Sequence, residues 1–227
     1  MSKVTRIALV GATGLIGTRL INYGLGRNDF RIIGIARREA PLPKGARMEL
    51  LVADPANWAD AIAAASADTL VCALGTTWRA AGKDEEAFRN VDQHLVLACA
   101  AAAKAAGIRQ MIVVSSVGAD SMSKNFYLRV KGETEQALGK VGIPRLDILR
   151  PGLLRGPRGG DRRIGEHAAI LVSPFADVML HGQYRKYRSI KADTIAKAIV
   201  GLTKEKAAGR FVFEHDALLR AARRAGD

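Results

Sequence analysis

The chain is poor in cysteine and histidine, has no long apolar run and is short of acid, and each shortage excludes something. Cys72 and Cys99 are its only cysteines, too few for the disulfide framework of a secreted domain. Both stand among apolar neighbours, as buried thiols in a reducing cytoplasm would, and a cytoplasmic localisation is expected. His94, His167, His181 and His215 are scattered without the spacing that metal ligation uses, so no metal is expected. No apolar stretch approaches the roughly 18 residues that a bilayer span requires, and no membrane contact is expected. The first apolar run, behind Lys3 and Arg6, ends in a glycine turn rather than a small-residue cleavage site, which argues against a signal peptide. Acidic residues number 22 against 35 lysines and arginines, for a formal charge of +13. Much of the excess lies in the second half, at Arg150, Arg155, Arg158, Arg162, Arg163, Arg185, Lys186, Arg188, Lys191, Arg220, Arg223 and Arg224. No helix-turn-helix, zinc-finger or RNA-binding signature accompanies it. The charge is read as solvated arginines around a pocket for a polyanionic small molecule, and no nucleic acid is expected.

What is present is 48% hydrophobic over 227 residues, enough for one α/β domain with a generous core. Val4 to Val10 is aliphatic and β-branched, as in a strand buried on both faces of a parallel sheet. Gly11-Ala12-Thr13-Gly14-Leu15-Ile16-Gly17 follows at once, and Leu15 to Leu25 reads as a helix. In such a strand–turn–helix unit Gly11 permits the tight turn, Gly14 lets the backbone approach a pyrophosphate, and Gly17 lets the helix pack on its strand. The unpaired N–H groups and positive end of the helix then hold phosphate charge. Thr13, Leu15 and Ile16 join the three glycines as candidate cofactor contacts.

Phe30 to Ile35 is a second strand, ending in Ala36-Arg37-Arg38 about 20 residues past the turn, where a dinucleotide fold meets the adenosine ribose. A carboxylate there selects a free 2′-hydroxyl, whereas the guanidinium forks of Arg37 and Arg38 suit a 2′-phosphate. NADP is therefore the expected cofactor, with pairing to Glu39 as the competing use of either arginine. Met48 to Ala53 is a third strand, closed by Asp54-Pro55. Asp54 either accepts from the adenine amino group or caps the helix that follows. An alanine-rich helix spans Asp60 to Ser66. Thr69 to Leu74 is the fourth strand, and Leu74-Gly75-Thr76 its cofactor-side loop. A long helix is expected from Asp84 to Ala106 and a fifth strand over Met111 to Val114, with Ser115-Ser116 at its carboxyl end. A helix from about Asn125 to Lys140 precedes a sixth strand, Pro144 to Leu149, and Arg150-Pro151-Gly152-Leu153. Beyond it come apolar pieces at Ala168 to Val172 and Phe175 to Leu180, a helix from Asp193 to Leu202, and a short strand from Arg210 to Phe213. The residues from Arg220 to Asp227 are expected to fray.

Tyr127 and Lys131 lie four residues apart, on one face of their helix. A lysine ammonium beside a phenol favours its ionised form. Ser116, at the preceding strand end, could donate to an oxygen that gains negative charge, and Tyr127 could pass a proton to or from it. Ser116, Tyr127 and Lys131 are thus the candidate catalytic residues of a carbonyl/alcohol redox reaction, in which the nicotinamide carries the hydride.

The set Gly11-x-x-Gly14-x-x-Gly17, Ser115-Ser116, Tyr127-x-x-x-Lys131 and Arg150-Pro151-Gly152 resembles the atypical short-chain dehydrogenase/reductases, in the NAD(P)-binding epimerase/dehydratase-like superfamily. Leu74-Gly75-Thr76-Thr77, Val91-Asp92, Ser115 to Asp120 and Val130-Lys131-Gly132-Glu133 resemble its Tat-interacting-protein oxidoreductase subgroup. The resemblance implies a doubly wound parallel (Rossmann) sheet of order 3-2-1-4-5-6 with an extra edge strand, within one NAD(P)-binding domain over residues 1–227. Residues 151–227 would contribute a small substrate-side subregion. It also implies an NADP(H) preference, cofactor contacts from Ser115, Tyr127, Lys131, Pro151, Gly152 and Leu153, and a helix-borne asparagine at Asn90. The superfamily's habit of pairing through helices makes a homodimer the candidate assembly. The region after Pro151 is short for an extended enzyme, and the Tyr-Gly that follows the serine in sugar-nucleotide epimerases is missing. A small-molecule substrate other than a nucleotide sugar is therefore expected, with an NADPH-binding regulator of little turnover as the alternative.

Overall fold

A computed structural model of the chain describes residues 4–39, 41–46, 48–156 and 180–226. Seven strands form one parallel sheet: β1 (Thr5–Val10), β2 (Phe30–Ala36), β3 (Glu49–Val52), β4 (Thr69–Cys72), β5 (Gln110–Val114), β6 (Arg145–Leu149) and β9 (Gly209–Phe213). Their order is β3-β2-β1-β4-β5-β6-β9, so the expected 3-2-1-4-5-6 sheet carries its extra strand beside β6. Two further strands, β7 (Leu154–Arg155) and β8 (Ile190–Lys191), pair with each other. Alternation along the strands feeds two cores. Ile7 and Leu9 pack with α1 (Leu15–Tyr23), α6 (Ala192–Thr203) and α7 (His215–Arg223). Ala8 and Val10 face the other way, toward α2 (Trp58–Ala64), α4 (Leu95–Ala105) and Leu138 of α5 (Phe126–Val141). A sheet apolar on both faces and covered on both by helices is the arrangement that a parallel ladder requires.

The expected elements are present, with shifted ends and two substantive differences. The first helix stops at Tyr23, because the chain turns through Gly24 to Gly26, with Gly26 at a φ of +73°. The long helix is α3 (Glu85–Arg89) and α4 joined by a π-helical turn, Asn90–His94. Asp84 caps its start, accepting from Ala87 N–H at 2.6 Å. The C-terminal residues do not fray from Arg220: α7 reaches Arg223 and buries Leu218 and Ala221, and Ala225 just past its end is buried as well. That seam packs on α6, where Gly201 has no Cβ to meet the Ala221 carbonyl. Arginines between the seam residues had hidden it. The expected apolar piece at Ala168 to Val172, most of Phe175 to Leu180, and Arg158, Arg162, Arg163 and His167 lie outside the described residues.

Candidate functional site

Every strand of the main sheet points the same way, so the turns after β1, β2, β4, β5 and β6 share its carboxyl edge, where ligands of such sheets bind. The turn after β1 is the tightest. Gly11 adopts a φ of +88°, and a Cβ there would lie 2.6 Å from the Ala73 carbonyl oxygen. At Gly17 a Cβ would collide with Gly11 O. Gly14 is different: it caps α1 in extended conformation (φ −75°, ψ 172°), with no side-chain cap and no acidic residue in the first turn. Its N–H is taken by Gly11 O at 3.0 Å. The next N–H groups face outward at the positive end of the helix, as an anion requires. Thr13 is exposed and Leu15 half-buried, whereas the Ile16 side chain belongs to the core. Only the backbone of Ile16 can meet a ligand.

At the end of β2, Arg37 and Arg38 are exposed, and among the described residues neither makes an ion pair, with Glu39 or any other carboxylate. Asp54 takes the capping alternative, accepting from Ala56 N–H at 2.9 Å while remaining exposed. Beyond β4, Gly75 and Thr76 run over Asp92, whose Oδ2 accepts from Thr76 N–H at 2.7 Å.

That aspartate organises the chemistry-bearing helix. Its Oδ1 lies 2.7 Å from Lys131 Nζ, with the Asp92 side chain wholly buried and that of Lys131 only 6% exposed. Burial pushes the Lys131 ammonium down, but the Asp92 carboxylate and the nearby Tyr127 outweigh it, and its pKa is raised above the ordinary lysine value. Thr134 Oγ1 donates its one proton to the Val130 carbonyl of its own helix at 2.8 Å and lies 3.3 Å from the Asp92 carbonyl, where the π-turn passes α5. Tyr127, one turn before Lys131, is half-buried with its ring edge-on to Phe88 at 5.7 Å between centroids.

The two serines after β5 part company. Ser115 is buried, and its hydroxyl donates to Glu135 Oε1 at 2.5 Å. Arg150 grips the same carboxylate with two nitrogens, at 3.0 and 2.5 Å, and Glu135 holds the Arg150 pKa up. The Ser115 side chain thus braces β5, α5 and β6, leaving only its backbone for a cofactor. Ser116 is half-exposed, with a single weak contact to Val117 O at 3.3 Å, so its hydroxyl is available. Pro151 accepts from Val117 N–H at 3.0 Å, Gly152 passes against the Tyr187 and Arg188 carbonyls, and Leu153 is 48% exposed. Asn90 is exposed, its Oδ1 3.0 Å from the His94 ring. Cys72 and Cys99 are both buried. A cleft of about 510 Å³ between Gly182–Tyr187 and α7 is lined by Arg185, Lys186, Arg220, His215 and Asp216. A second cavity, of about 410 Å³, lies between the C-terminal end of α1 and the start of β2, away from this edge.

Residue spacing assigned no role to Asp92, Glu135 or the Phe88–Phe126–Trp78 ring cluster. Asp92 carried a usable signal, since it interrupts the Phe88–Val96 apolar face of a helix, and a charge there needs a buried partner.

A glycine turn opening the first helix of such a sheet defines a Rossmann-type nucleotide-binding fold. The chain belongs to the NAD(P)H-binding family whose model matches residues 11–206. Among its relatives, the Aspergillus niger mitochondrial protein fmp52 is 32% identical over 206 residues, covering 87% of this chain and 86% of the relative. The Debaryomyces hansenii protein FMP52, also named mitochondrial, is 35% identical over 152 residues, covering 66% and 67%. Among solved structures, a Bacillus halodurans protein named for the NAD-dependent epimerase/dehydratase class superposes with a TM-score of 0.69 at 21% identity, covering 97% of this chain and 99% of that one. UDP-glucuronic acid 4-epimerase from Bacillus cereus, in complex with NAD, gives 0.66 at 16% identity, covering 92% and 78%. The mitochondrial names of the relatives overturn the cytoplasmic expectation. The reasoning failed because a thiol buried in a core is inert in any compartment and carries no address.

Proposed function

We propose that the chain is an NADP(H)-dependent oxidoreductase that moves a hydride to or from a small-molecule carbonyl or alcohol, and that it works in a mitochondrial setting. The carrying observation is the buried Lys131 ammonium, fixed by Asp92 one helical turn from Tyr127 and facing the same sheet edge as the bare N-terminus of α1. In this reading Gly11, Gly14 and Gly17 admit the diphosphate, with Thr13, Leu15 and Ile16 offering backbone. Arg37 and Arg38 take the 2′-phosphate. Leu74 to Thr76, the Ser115 backbone and Pro151 to Leu153 flank the rest of the dinucleotide, and residues 151–227 form the substrate side. Bound there, the nicotinamide supplies the hydride chemistry.

Ser116 Oγ donates to the substrate oxygen as charge develops, and Tyr127 Oη exchanges a proton with that oxygen. Asp92 holds the Lys131 ammonium, whose remaining N–H donors would serve the ribose of a bound cofactor and whose nearby positive charge favours the ionised phenol. Calorimetry with NADPH and NADH on wild type and Arg37→Asp tests the cofactor half. A lost guanidinium–phosphate bond, worth about 1.5–3 kcal/mol, predicts a loss of about 10- to 150-fold in NADPH affinity. NADH should weaken less than about three-fold; equal losses would remove the case for 2′-phosphate recognition.

A further inference from the structure

Tyr127 is one end of an aromatic surface. From its contact with Phe88, the rings continue to Phe126 at 5.6 Å and on to Trp78 at 5.2 Å. Phe88 is fully buried and forms the floor, while Trp78, on the loop after β4, is 39% exposed. Large exposed apolar side chains also stand on the loops after the two next strands, Met122 beyond β5 and Leu153 beyond β6. Tyr187, whose carbonyl packs on Gly152, adds another at 43% exposure. Singly such residues need no explanation, but rings that run from Tyr127 through Phe88 and Phe126 to an exposed Trp78, at the sheet edge whose next loops carry Met122 and Leu153, mark a binding surface.

The nearest guanidinium groups are already committed. Arg89 and Arg129 lie 5.5 and 5.6 Å from the Phe126 ring, and Glu133 holds them at 2.6 and 4.0 Å. Glu135 holds Arg150. Arg79 and Lys124 stay out at the exposed rim. Among the described residues a substrate diphosphate would find no prepared clamp beside Tyr127, whereas a flat apolar body would find a wall.

Resting on the hydride-transfer reading, we propose that the substrate is an aldehyde or ketone on an aromatic or conjugated apolar body, stacked against Trp78 with its carbonyl between Ser116 and Tyr127. In the reducing direction the carbonyl carbon takes a hydride and the carbonyl oxygen takes the Tyr127 proton. The products are the alcohol and NADP+, and the phenol recovers its proton from water.

The test is NADPH consumption with 2-naphthaldehyde and with glyceraldehyde, alongside UDP-glucose with NADP+, on protein whose NADPH binding is measured separately by calorimetry. The aromatic aldehyde should exceed both polar compounds at least ten-fold in kcat/KM. Trp78→Ala should raise its KM about ten-fold with kcat within about three-fold, as loss of one stacking partner predicts, and Trp78→Phe should restore most of it. Protein that binds NADPH yet prefers a polar compound, ignores naphthaldehyde, or loses kcat rather than KM in Trp78→Ala would overturn the proposal. Failure to bind NADPH at all would instead remove the reading beneath it, and the proposal with it.

Discussion

Replacing Asp92 by asparagine should separate what this carboxylate does for the fold from what it does for the cofactor. Its side chain is wholly buried and 2.7 Å from a lysine that is itself only 6% exposed. Asparagine keeps an oxygen for Thr76 N–H, so the charge is lost while the loop tether stays. Removing one member of a buried pair leaves the other uncompensated, at a cost of about 3–5 kcal/mol. For a chain of this size the midpoint of thermal unfolding should fall by about 6 to 20 °C. Lys131→Met added to Asp92→Asn removes both charges, and the double variant should recover to within about 1 kcal/mol of wild type, since neutral replacement of a buried pair is commonly tolerated. NADPH affinity should not recover with it: the ribose-facing donors are gone, for a loss of about 10- to 150-fold. Thermal and urea melts and calorimetry on the three proteins read both quantities. The sign of the pH dependence follows from the raised lysine pKa. The contribution of the pair is fully present below the ordinary lysine value and fades only as pH rises through the higher folded value. In Asp92→Asn burial acts on the Lys131 ammonium with its main counterweight gone, so the deficit should be largest at low pH and narrow as pH rises. An Asp92→Asn protein that melts within a degree of wild type, or a double variant whose cofactor affinity returns with its stability, would refute this reasoning.

Tyr127→Phe should lower turnover about 10²- to 10⁴-fold, the range for loss of a positioned proton donor, while calorimetry finds NADPH affinity within about three-fold of wild type. Turnover that survives would assign the acid elsewhere, and a protein that binds NADPH but reduces no carbonyl, with or without this change, would be a sensor. Gly14→Val should fold at some cost in stability, since Gly14 is already extended but Gly11 O, 3.3 Å from its Cβ, has to yield by a few tenths of an ångström. Its side chain would nonetheless stand over the bare end of α1, and NADPH affinity should fall at least about 30-fold. An unchanged titration would contradict a diphosphate at that turn.

How much of this could be read from residues alone varies with the kind of interaction. The strands were legible because each is a short aliphatic run closed by glycine, proline or small polar residues, and the Gly11–Gly17 turn fixes where the first crossover begins; their order was implied by the family resemblance. Tyr127 and Lys131 were legible because helical spacing places them on one face. Asp92 was not, since its partners Lys131 and Thr76 lie 39 and 16 residues away and meet it only across helices and strands. The Ser115–Glu135–Arg150 brace was obscured for a similar reason: two adjacent serines look equivalent in sequence, and strand alternation alone turns one inward and the other toward the open edge. The C-terminal helix was misread because its Leu218, Ala221 and Ala225 seam is narrow and set among arginines.

The π-turn at Asn90–His94 supplies the local reason that a carboxylate can sit where it does. Phe88, Asp92 and Val96 must all face inward, yet eight residues of regular α-helix rotate about 800°, leaving Val96 about 80° away from Phe88. A turn with i→i+5 bonding absorbs part of that rotation and brings the three back toward one line, with Phe88 and Val96 in apolar packing and Asp92 between them under Lys131 and Thr76. Such turns sacrifice regular helix geometry, so they persist where something else compensates. Here the compensation is a buried ion pair and the Thr76 tether, both made by the one side chain of Asp92. The distortion and the charge are therefore linked through the ion pair: with Asp92 neutral the Thr76 tether stays, but the Lys131 ammonium loses the carboxylate that fixes it on the helix that carries Tyr127.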